Sequence, residues 1–188
     1  MKKVLFLAAF FSIFATTGCG TAIKEGAGFA FGPKGAYIQS DMPDLGPKGN
    51  PTLERFRSFR VGRVSVDPKF TDFGGVMPQV VISNIGPELA RELRKNNIPV
   101  AGAQPGCIIR INLFYYEGAG SKGIVFGDVE EVLAEVTLID VQTRKIVGRA
   151  ICIGRSTTRV NLGTEKKISG LAHAITKWIK SHRLKKEK

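Results

Sequence analysis

From Phe56 onward, apolar and polar positions alternate in short blocks, each with its own period. Residues Phe59-Arg60-Val61-Gly62-Arg63-Val64-Ser65-Val66 alternate as a half-buried strand does, and Asp67-Pro68 ends the run. Val81, Ile85, Leu89 and Leu93 stand four apart over residues 78–96, which puts them on one helix face. Pro87 lies inside that stripe and removes a backbone donor, so a kink or two abutting helices are expected. Ile98 to Ala101 reads as a short strand. Cys107, Ile109, Ile111 and Leu113 then alternate with Arg110 and Asn112. After a Gly-rich loop over 118–128, Val132, Ala134, Val136 and Leu138 alternate again. The turn Asp140-Val141-Gln142-Thr143-Arg144-Lys145 leads into a strand from Ile146 to Arg155. The last block is helical. Ile168, Leu171, Ala172, Ile175, Trp178 and Ile179 form its apolar stripe, with Thr164 as the expected N-cap and Lys166, Lys167, Lys177 and Lys180 on the outer face.

These blocks predict β-α-β-β-β-β-α. Two amphipathic helices need a flat apolar surface to cover. One mixed, mostly antiparallel sheet with both helices on one face meets that need, giving an α+β two-layer sandwich over residues 55–182. With the meander's middle strand lying between Cys107 and Cys152, the thiols stand two strand spacings apart, about 9.5 Å, beyond disulfide reach. Two buried thiols are the expectation.

Before residue 55 the pattern differs. Met1-Lys2-Lys3 precedes an almost wholly apolar run from Val4 to Thr17, and Gly18-Cys19-Gly20 follows. A basic start, a short apolar run and a small residue before a cut site make a secretory signal over residues 1–18. The run is too short to cross about 30 Å of hydrocarbon. Ala15-Thr16-Thr17-Gly18-Cys19 resembles the bacterial lipobox, with Thr16 where that motif usually carries Leu. The resemblance implies that Cys19 is lipidated as the first mature residue. Gly20 at the next position implies outer-membrane sorting. Residues 19–54 then read as a tether. Gly-Pro-Lys-Gly occurs at 32–35 and again at 46–49, and Pro43 and Pro51 punctuate the rest. Phe29, Phe31, Tyr37 and Ile38 within it either pack on the domain or meet a partner or the bilayer.

Glu117-Gly118-Ala119-Gly120-Ser121, and the strand-turn-strand Glu135 to Val147 with its Asp140-Val141-Gln142-Thr143-Arg144-Lys145 turn, resemble a family of bacterial envelope lipoproteins described as DUF4410. The resemblance spans residues 56–182. It implies an envelope location and carries no established activity or catalytic residue. Arg144 stands where the family's turn has Gly, so strain at positive φ is expected there. The element order is also similar to lipopolysaccharide-assembly lipoproteins of the LptE type and to the small lipoproteins that regulate peptidoglycan synthases.

Motifs for catalysis or cofactors are weak. Gly118-x-Gly120-x-x-Gly123 spells a dinucleotide fingerprint, but a strand rather than a helix follows it, so no helix N-terminus meets a pyrophosphate. His173 and His182 have no metal-spaced neighbour. Glu130 and Glu131 are adjacent on a strand and point to opposite faces. The expectation is no enzyme, no cofactor and no metal.

Charge adds a partner class. The 188 residues carry 28 Lys and Arg against 16 Asp and Glu, a net +12. Losing residues 1–18 removes Lys2 and Lys3 and no acid, lowering +12 to +10. Behind a secretion signal, a basic surface meets anionic lipid, peptidoglycan or acidic proteins rather than nucleic acid. Arg57, Arg60, Lys177, Lys180 and Arg183 are the candidate docking cations, and 183–188 reads as a basic tail. The expectation is an outer-membrane lipoprotein, lipid-anchored on the periplasmic face. It would serve as accessory or scaffold subunit of an envelope protein complex, or as a homo-oligomer. The alternative is a periplasmic binding module for lipid, lipopolysaccharide or peptidoglycan fragments, needing an apolar pocket between helices and sheet or a basic groove beside 118–128.

Overall fold

The structure is a computed structural model that describes residues 34–41, 52–72, 75–100, 102, 104–117, 130–156 and 163–183. The signal segment, Cys19, Phe29, Phe31, the loop 118–128 and the tail beyond Arg183 lie outside the described residues.

Five strands make one open sheet: β1 (Lys34–Asp41), β2 (Ser58–Val66), β3 (Gly106–Tyr116), β4 (Glu130–Asp140) and β5 (Ile146–Ser156). Their order is β1-β5-β4-β3-β2. Only β2 and β3 run parallel, and the crossover between them carries a short helix α1 (Pro68–Asp72) and the long α2 (Gln79–Lys95). The β3-β4-β5 meander is antiparallel, as the alternation predicts. The closing helix is α3 (Thr164–Arg183). The domain is α+β, with the sheet on one side and α2 and α3 packed together on the other.

Two elements differ from the sequence reading. Residues 34–41, read as tether, form β1 and pair antiparallel with β5. Tyr37 and Ile38 have strand propensity that outweighs the flanking glycines once β5 offers an edge. Tyr37 packs against the core and its hydroxyl meets Ser181 Oγ at 3.0 Å. Of the expected strand 98–101, the described residues 98–100 make no strand of their own and residue 101 lies outside the described residues. Val100 forms one isolated bridge to Phe59, and the Phe59 amide donates to the Pro99 carbonyl.

The apolar stripes land where their periods place them. Val81, Ile85, Leu89 and Leu93 of α2 are fully buried, and so are Leu171, Ala172, Ile175, Trp178 and Ile179 of α3. They meet Ile109, Ile111 and Leu113 of β3, Val132, Ala134, Val136 and Leu138 of β4, and Ala150 and Cys152 of β5. Each such Val, Leu or Ile side chain removed from water contributes about 1.5–3 kcal/mol. Pro87 sits inside one continuous α2 with its ring exposed, so the two-helix alternative is not realised.

Lys167 does not take the outer face assigned to it. It is 1% exposed. Its ammonium donates to the Glu117 carbonyl at 2.8 Å and to the Tyr116 hydroxyl at 3.0 Å, and lies 4.1 Å from the Tyr116 ring centroid. Those partners replace the water that a buried cation needs. Thr164 is likewise not a cap. Its hydroxyl meets Tyr116 Oη at 3.1 Å.

Candidate functional site

The sheet has one face packed under α2 and α3 and another that, among the described residues, neither long helix covers, although Ile108 and Ile139 are buried on it, and strand alternation decides which residues go where. Cys107, Ile109, Ile111 and Leu113 face the helices. Ile108, Arg110 and Asn112 therefore face away, as do Leu133, Glu135, Thr137 and Ile139 of β4 and Arg149, Ile151, Ile153 and Arg155 of β5. Cross-strand register sorts this uncovered face into rows. One row runs Arg110, Thr137, Arg149, Asp41. The next runs Ser65, Asn112, Glu135, Ile151, Ile38. A third runs Tyr115, Leu133, Ile153, Ala36 and is apolar throughout.

The β2–β3 register shifts between Val61 and Val64, so the extra residue there brings Arg63 beside Arg110. Together with Ser65, Asn112, Glu135 and Thr137 they line a shallow groove of about 520 Å³ walled at one end by Pro68 of α1. Ser65 Oγ donates to Asn112 Oδ1 at 3.0 Å, and Asn112 Nδ2 donates to Asp67 Oδ2 at 3.4 Å, so the groove floor is held by a short polar chain. Among the described residues Arg63, Arg110 and Arg149 have no ion-pair partner. Arg155 does, on Glu131.

Beside these cations sit exposed apolar groups. Ile38 is 62% exposed and Tyr115 40%. Burial and the neighbouring Glu117 carboxylate push the Tyr115 hydroxyl above its ordinary range, so it stays a neutral donor at physiological pH.

The five docking cations proposed from sequence do not form one patch. Arg60 pairs in register with Ile108 and faces away from the helices, and Arg57 is exposed just before β2. Lys177 and Lys180 are exposed on α3, in the opposite layer. Arg183 has its guanidinium carbon 5.5 Å from the centroid of the buried Phe59 ring and a buried Nε without a hydrogen-bond partner. They come from two stretches of the sequence, and the fold puts those stretches in two layers. Arg110 and Arg149, which sequence reasoning passed over, sit in one row with Thr137. Their outward position was legible from alternation, but their alignment needed the register.

The helix–sheet interface holds the buried side chains named above. The second described groove, about 450 Å³, lies outside it between α2 and α3 and is lined by Asn84, Glu88, Arg91, Glu165 and Lys166. His173 Nδ1 meets Glu92 Oε1 at 3.1 Å across the two helices, and His182 Nδ1 lies 2.9 Å from the Trp178 carbonyl. Among the described residues no three His, Cys, Asp or Glu side chains converge as metal ligands, and no helix is long and apolar enough to cross a membrane.

Cys107 and Cys152 are buried and unbridged, as the meander geometry predicts. Burial pushes the Cys107 thiol up to about 12 and raises Cys152 further, so neither is a nucleophile at neutral pH.

No family model matches the chain, and no curated protein matches it. Solved structures with similarity include a PelC dodecamer from Paraburkholderia phytofirmans, 15% identical with a TM-score of 0.49, covering 76% of this chain and 97% of that one. A minor lipoprotein from Acinetobacter baumannii is 17% identical with a TM-score of 0.40, covering 69% and 96%. Lipoprotein GNA1162 from Neisseria meningitidis is 15% identical with a TM-score of 0.30, covering 66% and 98%.

Proposed function

We propose that this chain is a non-enzymatic outer-membrane lipoprotein and that it serves as an accessory or scaffold subunit of a bacterial envelope assembly, of the secretion, motility or surface-export kind. Acyl chains on Cys19 hold it on the periplasmic face. One chain alone anchors weakly and several anchor firmly. The domain then presents surface rather than interior to its partners.

The observation that carries this reading is the contrast between the sheet's two faces. The face under α2 and α3 is packed with residues at or near zero exposure, whereas the other holds Arg63, Arg110 and Arg149 beside Tyr115, Ile38 and Ile153. A carrier for an apolar ligand needs a hollow between the layers, and the two grooves described among these residues lie outside that interface. A docking subunit needs outward-facing surface and open strand edges. β1 and β2 end the sheet, and the outer edge of β1 is the rail we assign to strand addition by a partner.

The test is affinity purification of the tagged, lipidated protein from gently solubilised native envelopes, with a Cys19→Ser variant alongside. The account expects recovery of the wild type in the outer-membrane fraction, with envelope proteins at fixed stoichiometry, and loss of both with Cys19→Ser. A lone, unlipidated monomer refutes it.

A further inference from the structure

The uncovered sheet face has a composition that a filled core does not explain. Three of its arginines lack ion partners among the described residues, and in the apolar row beside them Tyr115 and Ala36 are exposed and Leu133 and Ile153 half-buried. We infer that this face lies on the bilayer surface, with its arginines on anionic lipid phosphates and its apolar row at the headgroup boundary.

Three observations converge on that occupant. The first is charge. Arg60, Arg63, Arg110, Arg149 and Arg155 point from this face, against Glu117, Glu131, Glu135 and Asp67, with Lys34 in register with Arg155 and Asp41 in register with Arg149, and the mature chain is +10. A second copy of so basic a chain meets the same sign of charge. A leaflet carrying anionic lipid attracts each cation near its surface.

The second is amphipathicity on one plane. The arginine row and the apolar row Tyr115, Leu133, Ile153, Ala36 are neighbours on the same side of the sheet, separated only by the row through Glu135. Arginine reaches phosphates with its head while its stem lies along apolar groups, and tyrosine favours the membrane–water boundary.

The third is the length of chain before β1. Lys34 lies 15 positions after Cys19, so even fully extended the connection spans about 50 Å. β1 carries the exposed Ile38 into this face. The strand nearest the anchor in sequence is therefore part of the surface assigned to the membrane. This last observation rests on the lipid anchor proposed above. The first two do not.

The test uses the mature chain with Cys19→Ser, so that no acyl chain binds for it, and co-sedimentation with phosphatidylcholine vesicles with and without phosphatidylglycerol. Binding to the anionic vesicles, weakening as salt rises, is expected. Arg63→Gln/Arg110→Gln/Arg149→Gln should weaken it by at least about tenfold, and Ile38→Asp should weaken it too. Arg94→Gln/Lys95→Gln/Lys166→Gln removes the same charge from the helical layer and should leave it nearly unchanged. All four side chains altered on the sheet face point outward, and equal melting temperatures check that the fold is kept. Equal loss in the helical variant overturns the inference, because net charge alone then explains binding. Absence of binding to anionic vesicles overturns it as well, and so does self-association in solution that the sheet-face variant abolishes. An acyl mass on Cys19 of the native protein is measured separately, so failure of the anchor and failure of the face are distinguishable.

Discussion

Gly154 of β5 lies directly beneath the Lys167 carbonyl of α3. A Cβ at Gly154 would stand far inside contact distance of that oxygen and of the Leu171 amide. Gly35 of β1 is covered in the same way by the Gly170 carbonyl and the Ala174 backbone. Helix α3 thus rests on β5 and β1 through backbone, because two positions carry no side chain. Backbone cannot retreat as a flexible side chain can. Gly154→Ala should therefore cost about 3 kcal/mol, read as a lower denaturant midpoint. Gly86→Ala in α2 is the contrast. Its added methyl meets only Val61 at an ordinary 3.6 Å, so the helix gains about 0.5–1 kcal/mol.

Arg144 sits at φ 60° in the β4–β5 turn. Asp140 organises that turn: its carbonyl accepts from the Arg144 amide at 2.9 Å and its carboxylate from the Gln142 amide at 2.8 Å. Burial raises the Asp140 carboxyl, but the amides of Gln142 and Thr143 and the nearby Arg55 outweigh it and hold the group below its usual range. Arg144 pays a left-handed penalty that glycine avoids. Arg144→Gly should raise stability by about 0.5–1 kcal/mol, visible as a higher melting temperature with unchanged unfolding cooperativity.

The two thiols predict an alkaline limit to stability. Their folded values are raised above that of an exposed thiol, Cys107 to about 12. Folding therefore favours the protonated form. The stabilising contribution is complete below the unfolded thiol's value, about 8.5, and falls as pH rises from there toward the folded values. Chemical unfolding followed from pH 7 to 10.5 should show falling stability above about pH 9, and Cys107→Ala/Cys152→Ala should flatten that limb. Native protein at pH 8 should resist a thiol-reactive dye that labels both residues once guanidinium unfolds it.

β1 also makes a prediction about truncation. A chain beginning at Lys34 keeps β1 paired with β5 and Tyr37 at Ser181, so it should melt with the full mature protein. A chain beginning at residue 42 bares the β5 edge and uncovers the side of α3 that Tyr37 and Gly35 touch. It should melt at least about 5 °C lower and aggregate through the bared edge.

Much of this was legible in the sequence, because period and burial are the same fact seen twice. Each member of the Val81, Ile85, Leu89, Leu93 stripe is fully buried, and the meander and the separated thiols follow from alternation. β1 was hidden because glycine and proline flank a strand that forms only when β5 supplies an edge. Lys167 was misplaced because charge argues for solvent, and its partners Tyr116 and Glu117 lie 50 residues away. The cationic row was half legible. Alternation turns Arg110 and Arg149 outward, but only the register and the β2 bulge set them beside Thr137 and Arg63. Residues Arg57, Arg60, Lys177, Lys180 and Arg183 were legible as basic positions, but which layer each joins was not, because local charge density carries no information about tertiary placement.

The most direct test of the central proposal is mild cross-linking in native envelopes, followed by purification of the lipidated protein and mass spectrometry of what it carries. An accessory subunit predicts a Cys19-acylated chain bound to defined envelope proteins at fixed stoichiometry, with cross-links from β1 or β2. A chain recovered alone, with lipid or glycan as its only companion, contradicts that role and leaves a binding module in its place.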